Sequence, residues 1–239
     1  MKRTSLALAR RKLNRTLVLG LFGSAAILCT SSLPHLSCSG AGFIARYNAL
    51  RGDAYELDAV DRAVSQETGV ECPDMELIAH RGEKVRYEPT LKVAPAFRER
   101  LLRFEQLLET LAVRHYGRAP AAITNAGAYS CRSVRHRAYR LSEHALGNAL
   151  DLVGFRFGPA IVSKDASVPA PAPELRSAFR VNLVDAWKPE HRHHAFVRDL
   201  VEALAAERVF RAMLGPAHEA HRDAGHFHFD YGPWHIIQL

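Results

Sequence analysis

The segment HRDAGHFHFDYGPW, residues 221–234, concentrates histidine, aspartate and aromatic residues near the C-terminus. If residues 225–231 form a β-strand, His226, His228 and Asp230 lie on one face and the intervening aromatic residues lie on the other. One face would then pack against a core, while the other presents two imidazoles and a carboxylate. Such groups bind metals or transfer protons, but a His-x-His pair by itself is equally typical of a polar surface.

A second segment, SEHALGNALDL at residues 142–152, supplies groups that could complete a metal site. His144 precedes Asp151 with small residues between them, so a loop and the strand that follows can bring both side chains to one point. Together with a later histidine they offer two nitrogen ligands and one oxygen ligand, which leaves the fourth position of a zinc ion open, as in catalytic sites. The sequence has no Cys-x-x-Cys motif, so a closed structural zinc site is not expected. These residues predict a site for one Zn²⁺ ion.

Hydrophobic periodicity predicts two long helices and several short strands around these residues. The predicted helices span residues 95–117 and 191–215, each with apolar residues at helical spacing. The remaining predicted elements are a strand and turn at 121–133, strands at 147–157, 179–187 and 225–231, and a proline-rich surface loop at 158–174. This order favours an α+β fold in which helices pack on a small, mainly antiparallel sheet.

The basic character of the chain lies mostly at its N-terminus. The formal net charge is +7, but six positive charges fall within residues 1–15, before any acidic residue, and removing them from the total leaves +1. A nearly neutral remainder gives no electrostatic basis for a nucleic-acid partner.

An uncharged, largely apolar stretch at residues 16–45 follows the basic start. This order is typical of a secretory signal, and with its flanking residues the stretch is also long enough for a single membrane anchor. Residues 1–40 are therefore predicted to be a signal peptide or a membrane anchor. Residues 41–71 are predicted to form a linker or a marginal helix, and the compact body is predicted to span 72–239.

Two cysteines, Cys72 and Cys131, lie in the predicted body. Export would place them in an oxidising compartment, where a disulfide between them would close a long loop. Two buried free thiols are the alternative.

The paired motifs resemble a known family. SEHALGNALDL resembles the Ser-x-His-x-x-Gly-x-Ala-x-Asp signature of the D-alanyl-D-alanine metallopeptidase, lysostaphin and hedgehog group. With LGPAHEAHRDAGHFHFD in the C-terminal part, and with GAYSCRS at 127–133, the chain resembles the extensin-like C-terminal domain family of bacteria over residues 72–233. The resemblance implies a metallopeptidase-like domain of that group.

Carried over position by position, the resemblance implies zinc ligands at His144, Asp151 and His228. It also implies a catalytic imidazole at His226 and an arginine at Arg132 that faces the substrate.

This sequence departs from the family pattern before the last histidines, because Ala224 and Gly225 separate Asp223 from His226. A competing register therefore has Asp223 as general base and His226 as a zinc ligand, although the Phe-His-Phe-Asp run favours His228. Independently of the resemblance, strand alternation predicts that Asp230 orients a ligand from behind.

The resemblance implies a zinc-dependent peptidase of the D,D-peptidase or murein endopeptidase type, acting on peptidoglycan peptides in the periplasm or cell envelope, free or anchored in the inner membrane. A non-catalytic zinc-bearing cell-wall binding module and a metal-free structural domain are the alternatives. The sequence makes no prediction of the bond cleaved or of the oligomeric state.

Overall fold

The computed structural model describes residues 55–160 and 172–239, all of which belong to one compact unit. The signal peptide or anchor predicted at 1–40, residues 41–54 of the predicted linker and most of the predicted loop at 158–174 lie outside the described residues. Within the described ranges, no helix is both long enough and apolar enough to cross a membrane.

The described residues form eleven strands, four α-helices and three short 3-10 helices. The strands are β1 (Ile78–His80), β2 (Tyr87–Glu88), β3 (Leu91–Val93), β4 (Ala122–Gly127), β5 (Ser133–Val134), β6 (Arg137–Leu141), β7 (Ala149–Phe157), β8 (Phe179–Asn182), β9 (Ala212–Leu214), β10 (Phe227–Asp230) and β11 (Ile236–Gln238). The α-helices are α1 (Pro95–Tyr116), α2 (Pro173–Arg176), α3 (Leu183–Ala186) and α4 (His194–Ala206). The 3-10 helices are Glu56–Ala59, Glu143–Leu146 and Glu219–His221.

A seven-stranded sheet forms the centre of the domain, in the order β11-β9-β10-β7-β4-β2 with β8 also paired to β7. Strand β7 pairs with β4 along one edge, and with β10 and then β8 along the other. The β2–β4 and β9–β11 pairs are parallel and the others are antiparallel, so the sheet is mixed. Two-stranded sheets are formed by β1 with β3 and by β5 with β6. The domain is therefore a mixed α/β structure with several sheets, where the sequence predicted one small, mainly antiparallel sheet.

Helix α1 confirms the prediction made from residues 95–117. Pro95 occupies the first turn, where its missing N–H is not needed, and Gly117 ends the helix in the left-handed conformation. The Gly117 N–H donates to the carbonyl of Val113. The apolar stripe of α1 is buried in the core through Phe97, Leu101, Phe104, Leu108 and Leu111.

Two predicted elements end earlier than the sequence suggested. The predicted strand at 179–187 becomes helical after Asn182, because the Asn182 side chain accepts a hydrogen bond from the Asp185 N–H and starts α3. The predicted helix at 191–215 ends at Ala206, and residues 212–214 form the buried strand β9 between β10 and β11. Periodicity does not distinguish a buried strand from a buried helix when the apolar run is short, which explains why β9 was assigned to the helix.

Residues 55–65, in the stretch predicted to be a linker or a marginal helix, pack against the domain. Leu57 is buried in the 3-10 helix at 56–59. The Val64 N–H donates to the Tyr139 carbonyl at 2.8 Å, and a β-bridge joins Ala63 to Arg140 on β6. The compact structure thus begins before residue 72.

Cys72 and Cys131 form a disulfide, with their Cα atoms 5.8 Å apart. This bond ties the segment before β1 to the segment before β5. Of the two alternatives for these cysteines, the structure therefore contains the bonded pair.

Candidate metal centre

The strand register places two of the predicted ligands side by side. His228 on β10 is the direct antiparallel partner of Asp151 on β7. Phe227 and Phe229, the neighbours of His228, are buried in the core, and His228 and Asp230 therefore lie on the opposite face of β10. The alternation expected from the sequence holds for β10, which begins at Phe227.

The third predicted ligand, His144, lies in the short 3-10 helix at 143–146, just before β7. Ser142 caps this turn by accepting a hydrogen bond from the His144 N–H at 3.3 Å. Gly147 ends it with a φ of 63°, and a Cβ atom there would lie 2.8 Å from the Ala94 nitrogen. The Ala94 N–H donates to the Gly147 carbonyl at 2.9 Å. The turn that carries His144 therefore rests directly against the start of α1, and only glycine fits at its end.

Three donor atoms converge where these elements meet. His144 Nε2 lies 3.1 Å from Asp151 Oδ1 and 3.1 Å from His228 Nδ1, and His228 Nδ1 lies 3.0 Å from Asp151 Oδ1. Ligand atoms bound about 2.0–2.1 Å from a tetrahedral zinc ion would lie about 3.3–3.4 Å apart. The observed separations are close to that spacing, so the three residues fit a zinc ion with one open position.

Neighbouring acceptors orient both imidazoles toward this point. The Ala128 carbonyl lies 2.6 Å from His144 Nδ1, so Nδ1 carries the hydrogen and Nε2 presents its lone pair. Asp230 Oδ2 lies 2.9 Å from His228 Nε2, so Nε2 carries a hydrogen and Nδ1 is directed toward Asp151. The two imidazoles and the Asp151 carboxylate therefore face one another around a point that suits either a shared proton or a metal ion.

The pKa values of the cluster reflect the same arrangement. Burial would lower the pKa of His228, but hydrogen bonds with Asp151 and Asp230 raise it to about 9. Burial would raise the pKa of Asp151, but hydrogen bonds with His144, His226 and His228 hold it well below its usual value. The pKa of His144 is lowered, mainly by burial. The site thus stabilises a positive charge near Asp151, as a proton on His228 or as a metal ion.

His226 lies at the edge of the cluster. Its Nε2 is 3.4 Å from Asp151 Oδ1, and its side chain keeps 18% of its surface exposed. The three residues whose donor atoms converge are His144, Asp151 and His228, so His226 is beside this group. Asp223, the acid of the competing register, is exposed and has no ion pair with any described residue.

Arg132 is exposed beside the cluster. Its carbonyl accepts a hydrogen bond from the Ser142 N–H at 3.0 Å, which holds its backbone next to the His144 turn. Burial is the main cause of the lowered pKa of His144, and the positive charge of Arg132 makes a smaller contribution in the same direction. The guanidinium is therefore within electrostatic reach of the site and free to contact a ligand.

Two further histidines near the cluster were not singled out from the sequence. The His221 ring centroid lies 5.2 Å from that of His228 and 6.2 Å from that of His226, and His221 Nδ1 is 3.3 Å from His218 Nδ1. Burial and the nearby charge of His228 lower the pKa of His221 to about 3. The His-x-x-His spacing close before GHFH was the available signal.

A buried network behind His144 was also missed. Arg62 donates to both oxygens of Glu143, from Nε at 2.6 Å and from Nη2 at 3.1 Å. Glu143 Oε2 also accepts from Asn148 Nδ2 at 2.7 Å, and Asn148 Oδ1 accepts from the Tyr55 hydroxyl at 2.8 Å. Residues 55–62 thus hold both ends of the turn that carries His144, through partners distant in sequence.

Comparison with known proteins supports the extensin-like family. The family model described as Extensin-like protein C-terminus matches residues 51–162. This range includes His144 and Asp151 but ends before His228, and it begins upstream of the packed residues 55–65. No curated protein and no solved structure matches the chain.

Proposed function

We propose that this extensin-like chain is an exported, zinc-dependent peptidase that hydrolyses amide bonds in peptidoglycan peptides. The observation that carries the proposal is the convergence of His144 Nε2, Asp151 Oδ1 and His228 Nδ1 within 3.0–3.1 Å, with both imidazoles oriented by acceptors behind them. Three protein ligands of this type leave one position for water or substrate.

Zinc at this position would polarise the scissile carbonyl and lower the pKa of water. His226, next to Asp151 and partly exposed, is placed to accept a proton from the attacking water and to return it to the leaving amine. Arg132, exposed beside the His144 turn, would stabilise the oxyanion that develops on the substrate or bind a substrate carboxylate. Asp230 holds the hydrogen on His228 Nε2 and keeps that ring oriented.

The location and the substrate are supported by the sequence. The basic start and apolar stretch within residues 1–45 support export to the periplasm or cell envelope, with the N-terminus either cleaved or retained as an anchor. The disulfide between Cys72 and Cys131 is in keeping with an oxidising compartment. The peptidoglycan substrate is supported by the resemblance of both motifs to cell-wall metallopeptidases.

The proposal is tested by measuring zinc content and hydrolysis on the same samples of the full chain. Purified protein should contain one zinc ion per chain. Incubation with purified peptidoglycan should release muropeptides, identified by mass spectrometry, and a chelator should abolish the release. The mass of the product identifies the bond.

Variants separate the metal from the chemistry. His144→Gln should lose zinc, whereas His115→Gln should retain it, because His115 is paired with Asp199 and is not part of the cluster. His226→Gln should retain zinc but lower the turnover number about 10²- to 10⁴-fold, as expected for loss of a general acid–base group.

Zinc without turnover, in a folded sample, would contradict the peptidase and favour the non-catalytic binding module. Protein that carries no zinc and whose thermal stability does not respond to zinc or to a chelator would contradict both.

A further inference from the structure

The segment that borders the candidate metal centre is strongly basic. Residues 128–141, AYSCRSVRHRAYRL, contain four arginines and no acidic residue. These are Arg132, Arg135, Arg137 and Arg140, in the loop after the disulfide and in the hairpin of β5 and β6. We call residues 132–141 the arginine hairpin.

One backbone and one side-chain hydrogen bond connect the arginine hairpin to the surroundings of the predicted zinc ligands. The Ser142 N–H donates to the Arg132 carbonyl at one end, as described above. At the other end, Arg135 Nη1 donates to the Ala220 carbonyl at 3.4 Å. Ala220 belongs to the 3-10 helix that ends at His221, whose ring is 5.2 Å from that of His228. The hairpin thus extends from the turn that carries His144 to the segment that precedes His228.

The hairpin is also attached to the rest of the domain at both ends. The disulfide bonds Cys131, the residue before Arg132, to Cys72. The bridge between Ala63 and Arg140 attaches β6 to the packed N-terminal residues. Side chains on a fixed backbone lose less conformational entropy when they bind a ligand, which favours recognition.

The positive charge of the hairpin is largely uncompensated by the protein. Within the described ranges, Arg132, Arg135 and Arg137 form no ion pair with a carboxylate. The carboxylates of Asp151 and Asp230 are already hydrogen-bonded to the histidines of the cluster.

Arg140 differs from the other three arginines. Arg140 Nη2 lies 3.9 Å from Glu143 Oε1, and Arg140 Cζ lies 4.3 Å from the centroid of the Trp234 ring. The charge of Arg140 is therefore partly compensated. Near Ala220 in the sequence, Glu219 and Asp223 are exposed acids and Arg222 is an exposed base, so this segment contributes one net negative charge.

We propose that the arginine hairpin recognises the carboxylates of an anionic peptide substrate, so that the enzyme prefers peptidoglycan peptides with free carboxyl groups. This inference rests on the proposed function and adds Arg135 and Arg137 to Arg132 as substrate-binding residues. A guanidinium group matches a carboxylate with two parallel hydrogen bonds, which gives both orientation and affinity. The exposed Tyr139 and Trp234 add apolar surface beside these charges.

Binding of the full chain to insoluble peptidoglycan tests the inference without requiring turnover. The probe is native peptidoglycan, compared with the same material after its carboxyl groups have been amidated with methylamine. The test variant is Arg135→Gln/Arg137→Gln. The matched control is Arg103→Gln/Arg198→Gln, which removes two exposed charges from α1 and α4.

The hairpin variant should bind native peptidoglycan about 5- to 10-fold more weakly than the wild type, and the control should bind as the wild type does. Amidation of the peptidoglycan should weaken binding of the wild type to a similar extent. It should cause no further loss of binding by the hairpin variant. Zinc content should be equal in all samples. Raising the salt concentration should weaken wild-type binding more than that of the hairpin variant.

Equal binding of the wild type to native and amidated peptidoglycan would overturn the inference, as would wild-type binding by the hairpin variant. Binding of polyphosphate or DNA as tightly as native peptidoglycan would also overturn it, since the hairpin would then be a general polyanion surface. Chelator-sensitive hydrolysis together with any of these results would leave the peptidase proposal intact. Carboxylate-dependent binding without hydrolysis would retain the hairpin as a recognition site and reject the peptidase.

Discussion

Replacement of Arg62 by methionine should be far more damaging than its position outside the predicted body suggests. Only 8% of the Arg62 side chain is exposed, and its partner Glu143 is 6% exposed. Besides Glu143, the guanidinium donates to the carbonyls of Val60 at 2.6 Å and Leu57 at 3.0 Å. Methionine retains most of the aliphatic stem, so Arg62→Met removes the charge and the donors while limiting the loss of packing.

The magnitude follows from the burial of the pair. Removing one partner of a buried ion pair costs about 3–5 kcal/mol, because the remaining charge is left without compensation. Arg140 at 3.9 Å and the Asn148 amide still contact Glu143 and offset part of that cost. We therefore expect a loss near the lower end, about 3 kcal/mol in the free energy of unfolding, or about 6–12 °C in Tm for a domain of this size.

Urea denaturation of chelator-treated protein measures this change directly. The matched control is Arg198→Met, which breaks an exposed pair with Glu202 on α4 and should cost at most about 1 kcal/mol. The double variant Arg62→Met/Glu143→Leu should recover part of the loss, because it removes the stranded carboxylate.

Zinc affinity provides a second measurement, since Glu143 directly precedes His144. Arg62→Met should weaken zinc binding and Arg198→Met should not. If Arg62→Met destabilises the protein no more than Arg198→Met does, the reasoning that the N-terminal segment supports the site is wrong.

Two further predictions concern the backbone around the site. Gly147→Ala should lower the free energy of unfolding by at least about 2 kcal/mol and weaken zinc binding, because a Cβ in the left-handed conformation would lie 2.8 Å from the Ala94 nitrogen. The control Gly117→Ala has a similar φ but open space around it, so it should cost only about 1 kcal/mol and leave zinc binding unchanged. Equal losses of stability in thermal denaturation would reject the role of close packing at Gly147. Reduction of the Cys72–Cys131 disulfide, which joins residues separated by 59 positions, should lower the free energy of unfolding by about 4 kcal/mol; an unfolding midpoint in urea that is the same with and without reductant would contradict this.

Local pattern carried much of the reasoning from the sequence. The alternation of residues 227–230 was sufficient to predict that the phenylalanines are buried and that His228 and Asp230 share the other face. The spacing of His144 and Asp151 placed one on a turn and the other on the strand that follows, as the structure has them. Both inferences depend on residues that are close in sequence, where periodicity and steric limits act directly.

The features that were missed depend on contacts between distant residues. Arg62 is a charged residue in a polar stretch, and the partner that balances its charge, Glu143, is 81 positions away. The apolar residues of β9 continue the hydrophobic run after α4, and their strand conformation depends on pairing with β10 and β11. The proximity of His221 to His228 is likewise produced by the turn before β10. None of these contacts has a periodic signal.

The candidate metal centre forms only when β7 and β10 pair in the observed register. Asp151 lies between Leu150 and Leu152, and His228 between Phe227 and Phe229, all four of which are buried. A slip of one residue in either strand would move its apolar side chains from the core face to the other face of the sheet, and its polar side chain into the core. The same slip would separate the donor atoms of Asp151 and His228. Partial misalignment of these strands is therefore unfavourable, and a chain that folds with its phenylalanines inside also brings together two of the three predicted zinc ligands.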